Sequence, residues 1–175
     1  MIAIGIYIGG TSIKGAAVDS NGRVYETFSM PFIKGEDGTV TIRKLAEIVK
    51  EYIAAHKLEK KIVGIGLGSP GTLDVKNGIV NYANNLGWND LYIADIMHEI
   101  LPYPVRLTND ANAASLGEAK YGAGKSYETI IMLTLGTGVG GGIIINGKLF
   151  EGNEGKGGEL GHEVIVVDGE PCTCG

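Results

Sequence analysis

Three glycine-rich loops, each set directly after an apolar run of strand type, constrain this chain more than any other feature. Gly9-Gly10-Thr11 follows IAIGIYI at 2–8, Gly68-Ser69-Pro70-Gly71 closes IVGIGLG at 62–68, and Gly136-Thr137-Gly138-Val139-Gly140-Gly141-Gly142 follows a run ending at Leu135. The sequence holds 29 glycines in 175 residues, against about a dozen at the ordinary usage of ~7%. They gather near residues 5–15, 64–71, 136–147 and 152–161, so they mark particular loops and not a low-complexity tract. Without a Cβ the backbone can come close to a phosphate and aim several N–H groups at it, and a Thr hydroxyl adds a donor. Taken singly, each loop also reads as a tight turn.

Residues 2–8, 12–18 and 23–29 read as strands, with Asp19-Ser20-Asn21-Gly22 turning the last two. Ile42, Leu45, Ile48, Val49, Tyr52 and Ile53 recur at helical spacing behind Thr39 or Thr41 as cap. A strand at 62–68, a helix near 91–101, a strand at 104–108 and a helix at 111–120 follow. Residues 129–135 and 141–146 read as adjacent strands turned by Asn146-Gly147. Residues 151–158 read as glycine-rich loop and 159–167 as a short helix or strand. The order predicts an α/β protein with an antiparallel start and a domain break near 109–125. The roughly fifty residues beyond that break are too few for an independent core of this kind.

The net charge of −5 and the lack of any Lys/Arg run argue against a nucleic-acid partner. The apolar start, Met1 to Ile8, has no basic lead and is too short to span a bilayer, so a cytoplasmic protein without membrane contact is expected. Gly136, Gly138 and Gly141 satisfy G-x-G-x-x-G, but strand residues follow where a dinucleotide fold needs a helix, and the Rossmann reading fails.

Asn109-Asp110 falls where a strand gives way to a helix. Asp110 there can cap the helix. It can also face an interdomain cleft and take the proton of a hydroxyl attacking a phosphoryl group. Asn84, Asn85 and Trp88 read as a polar turn with a packed indole. Cys172 and Cys174 are too close for an ordinary disulfide, and with His162 ten residues earlier they make three tetrahedral zinc ligands, one short of a closed site.

In order along the chain, six segments resemble the ROK family of sugar kinases, within the actin-like ATPase (ribonuclease H-like) fold. They are IGGTSIKGA (8–16), GSPGTLD (68–74), NYANNLGW (81–88), LTNDANAASLGEAKYGAG (107–124), LTLGTGVGGGIIING (133–147) and GGELGHEVIVVDGEPCTCG (157–175). The spacing from His162 to Cys172 resembles the family's glucokinases more than its N-acetylglucosamine kinases. The resemblance implies that Gly5, Gly9, Gly10, Thr11 and Ser12, with Gly136, Thr137, Gly138, Gly140 and Gly141, hold the phosphates of ATP with Mg²⁺. It implies that Asn84, Asn109, Asp110, Glu159 and His162 hydrogen-bond a hexose, with Gly71 lending its backbone and Asp110 acting as base. It implies a structural Zn²⁺ on His162, Cys172 and Cys174, transfer to the sugar 6-hydroxyl, and a homodimer.

Two departures from the family pattern stand out. The first phosphate loop of the family reads Asp-x-Gly-Gly-Thr, and here the Asp position is Tyr7. A neutral phenol cannot replace a carboxylate in placing Mg²⁺ and its waters, so weak or absent turnover is expected. Family members also continue through a third zinc cysteine, a further sugar-binding Glu and the rest of the adenosine-binding domain. The expectation is therefore a complete N-terminal domain at 1–110 and the start of a C-terminal one at 111–175. A catalytically silent sugar-binding module is the alternative. The family's sugar-sensing repressors fit less well, since a DNA-binding helix-turn-helix precedes their first strand and Ile2 already begins a strand here.

Overall fold

The computed structural model describes residues 1–136, 138–155 and 157–171. Strand β1 (Ile2–Ile8) alternates cleanly, with Ile2, Ile4, Ile6 and Ile8 buried on one face. It hairpins into β2 (Ser12–Asp19) and then β3 (Val24–Pro31), both antiparallel. Helix α1 (Gly38–Ala55) follows and buries Ile42, Leu45, Ala46, Val49 and Ile53 in the same core as the β1 isoleucines. Its cap is Asp37, whose carboxylate accepts from Thr39 N and Val40 N. The expected caps fail because Gly38 already opens the helix: Thr39 lies inside it, and Thr41 is buried with its hydroxyl donating to Glu36.

The chain then forms β4 (Ile62–Ser69), parallel to β1, and a small antiparallel sheet of β5 (Thr72–Asp74), β6 (Ile79–Ala83) and β7 (Trp88–Leu91). The sequence reading missed these three short strands and expected a polar turn alone. Trp88 is nevertheless buried, as expected, and its ring packs on Phe32. After helix α2 (Ile93–His98), shorter than predicted, β8 (Val105–Asn109) pairs parallel with β4 and completes a five-stranded sheet ordered β3-β2-β1-β4-β8. The antiparallel start and parallel finish agree with the predicted class.

The face of this sheet away from α1 carries small residues. Gly5 on β1 lies between Ala16 on β2 and Gly66 on β4, and Tyr7 lies between Lys14 and Gly68. A shallow apolar groove of about 560 Å³ results, with helix α3 (Asp110–Tyr121) at one border through Ala113 and Leu116.

Beyond α3 come β9 (Ile130–Leu135), β10 (Val139–Ile145) and β11 (Lys148–Leu149), a second antiparallel sheet with β9 at its edge. Asn146 and Gly147, both at positive φ, turn β10 into β11 and not β9 into β10 as the sequence suggested. The outward residues of β9 are Ile131, Leu133 and Leu135, at 68%, 56% and 80% exposure. Residues 159–167 form only a 3-10 turn, Leu160–His162, followed by irregular chain.

Candidate functional site

A cleft of about 690 Å³ opens where the small sheet, the β8–α3 junction and the 151–162 loop meet. Each wall owes its place to a local feature of the sequence. Gly71, at φ 104°, turns β4 into β5, and a Cβ there would come 2.3 Å from the Tyr82 carbonyl oxygen. Only glycine permits that approach. The turn from β6 to β7 is closed by Gly87, whose N–H donates to the Asn84 carbonyl, and it presents Asn84 and Asn85 to the cleft. The Tyr82 hydroxyl donates to Asn84 Oδ1 at 3.1 Å and steadies that side chain.

Asn109 ends β8 and caps α3: its Oδ1 accepts from Ala111 N at 2.9 Å and Asn112 N at 3.1 Å. The capping role that sequence alone offered to Asp110 therefore falls on Asn109. The Asn109 oxygen is taken up by the helix, which leaves its amide NH₂ for the cleft. Asp110 is the first residue of α3, half-buried, with Oδ1 accepting from Ala111 N at 3.0 Å. The cleft wall itself includes Asn109 and Asn112, on either side of Asp110.

Glu159 and His162 lie one 3-10 turn apart, with His162 Nε2 3.6 Å from Glu159 Oε2 and both side chains about half exposed. Glu151 joins them on the wall. No Lys or Arg lines the cleft among the described residues. Amide, carboxylate and imidazole groups without a cation suit an uncharged, hydroxyl-rich ligand better than an anion. At the adjoining β5–β6 turn, the Asn77 side chain and backbone N–H both bond Asp74 and hold its carboxyl below the usual range.

The first glycine loop borders this site. Gly9 N–H donates to the Ser12 carbonyl at 3.1 Å, and a Cβ on Gly10 would lie 3.8 Å from the Asn85 carbonyl oxygen. Tyr7 is half exposed, and its ring folds back over the loop: Cε1 is 2.8 Å from where a Gly9 Cβ would stand.

The run 136–142, expected to act as one loop, divides into two parts with different reasons for glycine. Gly136 and Gly138 form an open bend, with Gly136 N–H donating to the Gly138 carbonyl at 2.9 Å and free space around both α-carbons. Gly140, Gly141 and Gly142 belong to β10 and are packed. A Cβ would meet Thr134 Oγ1 at 2.5 Å on Gly140, the Gly158 carbonyl at 2.9 Å on Gly141, and Ser115 Oγ at 2.2 Å on Gly142. Thr137, Cys172 and Cys174 lie outside the described residues. Among the described residues no three His, Cys, Asp or Glu side chains converge as a metal site.

Tyr82, Asn112 and Glu151 line the cleft and were not singled out from sequence. The available signal for Asn112 was its spacing: three residues after Asn109, one helical turn along the same face.

Mixed sheet, crossing helices and glycine hairpin beside a polar cleft define the class: this is the actin-like ATPase fold. Residues 3–175 match the ROK family, and the chain belongs to that family. It is 37% identical over 174 residues to a glucokinase of Halalkalibacterium halodurans, covering 98% of this chain and 53% of that protein. It is 37% identical over 142 residues to a xylose repressor of Caldicellulosiruptor bescii, covering 81% of this chain and 36% of that protein. The solved ROK family glucokinase of Streptomyces griseus, in complex with glucose and AMPPNP, superposes with a TM-score of 0.82 at 35% identity, over 100% of this chain and 54% of that one. The chain thus spans about half the length of the curated relatives it matches.

Proposed function

We propose that the chain provides the sugar-binding half of an ATP-dependent hexokinase whose substrate is glucose. The observation that carries this is the cleft: Asn84, Asn85, Asn109, Glu159 and His162 converge there with no cation beside them among the described residues. In this reading Glu159 accepts from sugar hydroxyls, Asn84 and the free NH₂ of Asn109 donate to them, and the Gly71 backbone closes the floor. Residues 1–110 form the sugar-side domain and residues 111–175 begin the nucleotide-side domain.

Asp110 is the base. As the 6-hydroxyl oxygen attacks the terminal phosphorus of ATP, its proton passes to the Asp110 carboxylate, the phosphoanhydride bond breaks, and ADP leaves with the bond's electron pair. Backbone N–H groups of Gly9–Ser12 and of the Gly136–Gly138 bend hold the phosphates. Mg²⁺, arriving with the nucleotide, would supply neutralisation of the phosphate charge there. Tyr7 stands where the family has a carboxylate, and its ring over Gly9 narrows the approach to the loop; both weaken turnover. A second reading follows from the same ring: a sugar-binding module without transfer activity. A structural Zn²⁺ would be held by His162, Cys172 and Cys174.

Calorimetry with glucose, followed by a coupled ADP-release assay, tests the proposal. Glucose should bind without ATP, and Asp110→Asn should abolish whatever turnover exists while leaving binding within about threefold, since only the proton acceptor is lost. Absence of glucose binding overturns the sugar site. Binding with no turnover, even in Tyr7→Asp and after a complete C-terminal half is supplied, selects the silent module.

A further inference from the structure

The amide of Asn112 is out of place. It sits one turn into α3 and is 6% exposed, and its Oδ1, with under 1 Å² open to solvent, has no donor among the described residues. A buried oxygen without a donor bears its full desolvation penalty, and such groups in folded proteins call for an explanation by role. The other such group among the described residues, Trp88 Nε1, lies in the core beside Gly38.

What lies over the Asn112 oxygen is the turn that carries Glu159. A Cβ on Gly158 would come 3.4 Å from Oδ1, and the same Gly158 carbonyl abuts Gly141 of β10. A sugar hydroxyl cannot touch so occluded an oxygen unless this turn moves. A donor from this turn would need its backbone to shift toward the oxygen. On one side the Gly157 N–H is anchored on the Glu151 carbonyl, and within the turn the Leu160 N–H closes on the Gly158 carbonyl.

We infer that Asn112 is a positioning residue of the sugar site: when sugar binds, its Oδ1 accepts a backbone N–H of Gly158 or Glu159 and locks the turn with the Glu159 carboxylate toward the sugar hydroxyls. This rests on the sugar-binding reading above. The residue carries an unfavourable amide in the free protein so that the bound state alone is satisfied, which makes sugar binding and turn ordering one event.

The test is Asn112→Leu, similar in volume and without a polar group, compared with the unaltered chain. Melting temperature should hold or rise, because an unsatisfied group has been removed, while glucose affinity falls about tenfold with loss of one buried hydrogen bond to the turn. In the unaltered chain, glucose should slow hydrogen exchange at the Gly158 and Glu159 amides, and Asn112→Leu should erase that slowing. In a Glu159→Gln background, Asn112→Leu should cost less than about twofold further, since both act through one carboxylate. If the unaltered chain binds no glucose, the sugar-binding reading falls and this inference with it. If it binds and Asn112→Leu matches it within about twofold, or loses melting temperature in parallel with affinity, only the positioning role is overturned.

Discussion

Gly161 passes so close to Val139 that a Cβ on the glycine would stand 1.9 Å from the valine carbonyl oxygen. The contact fastens the turn bearing Glu159 and His162 to the first residue of β10, directly after the Gly136–Gly138 bend. Gly161→Ala must push the two apart. Overpacking of this kind costs about 1–3 kcal/mol, and thermal melting should show a fall of roughly 2–12 °C. Glucose affinity should drop with it, because Glu159 and His162 move as a unit with the turn.

Gly117 makes the opposite case. It lies inside α3, with open space where a Cβ would point. Helix-interior glycine is less favourable than alanine by about 0.8–1 kcal/mol. Gly117→Ala should therefore raise the melting temperature by a few degrees and leave glucose titration curves unchanged. A destabilised variant would mean that α3 does not persist as a helix at this point.

Tyr7→Asp restores an acidic group at the end of β1 and clears the ring from Gly9. If the phenol is what limits transfer, ADP release in the presence of glucose and Mg-ATP should rise at least about tenfold, the scale on which single electrostatic groups act in phosphoryl transfer. Tyr7→Phe should change nothing. Equal rates in Tyr7→Asp and the unaltered chain would show that the ring is not the obstacle.

His56 links the end of α1 to β3: Nδ1 lies 2.8 Å from the Tyr52 carbonyl and Nε2 3.1 Å from Glu26 Oε2. The Tyr52 carbonyl first, and the Glu26 carboxylate after it, raise its pKa above the ordinary 6.5. Because the folded value is the higher one, this stabilisation is complete below about pH 6.5 and is lost as pH rises through the folded value. Melting temperature should thus decline as pH rises above about 6.5, and His56→Gln should flatten that part of the profile. Glu26 is largely solvated and His56 partly so, so added salt should shrink the Glu26 share. Parallel profiles for the two proteins would remove the histidine from the account.

The legible parts of the fold were those with a strong period. The alternating isoleucines of β1 and the helical spacing of Ile42, Leu45, Val49 and Ile53 announce the main core. The small sheet escaped because its strands run only three to five residues and expose polar residues such as Thr72, Asn81 and Asn89 between the buried Val80, Ala83 and Trp88. Of the site, Gly71, Asn84, Asn109, Glu159 and His162 were named from sequence and share the cleft. Asn112 was not, because an amide inside an alanine-rich helix carries no local mark of burial. Gly140 and Gly141 were read as phosphate-binding; the packing of Gly140–Gly142 against Thr134, Gly158 and Ser115 is a second reason for glycine there, a tertiary fact that no local pattern encodes.

The outer strand of the second sheet has a practical meaning for anyone handling this polypeptide. Ile131, Leu133 and Leu135 stand uncovered in a row on β9, whose far side pairs with no strand among the described residues. Such a ribbon templates another ribbon. Turbidity should climb with concentration and warming, and a lysine placed at Leu133 should keep the solution clear.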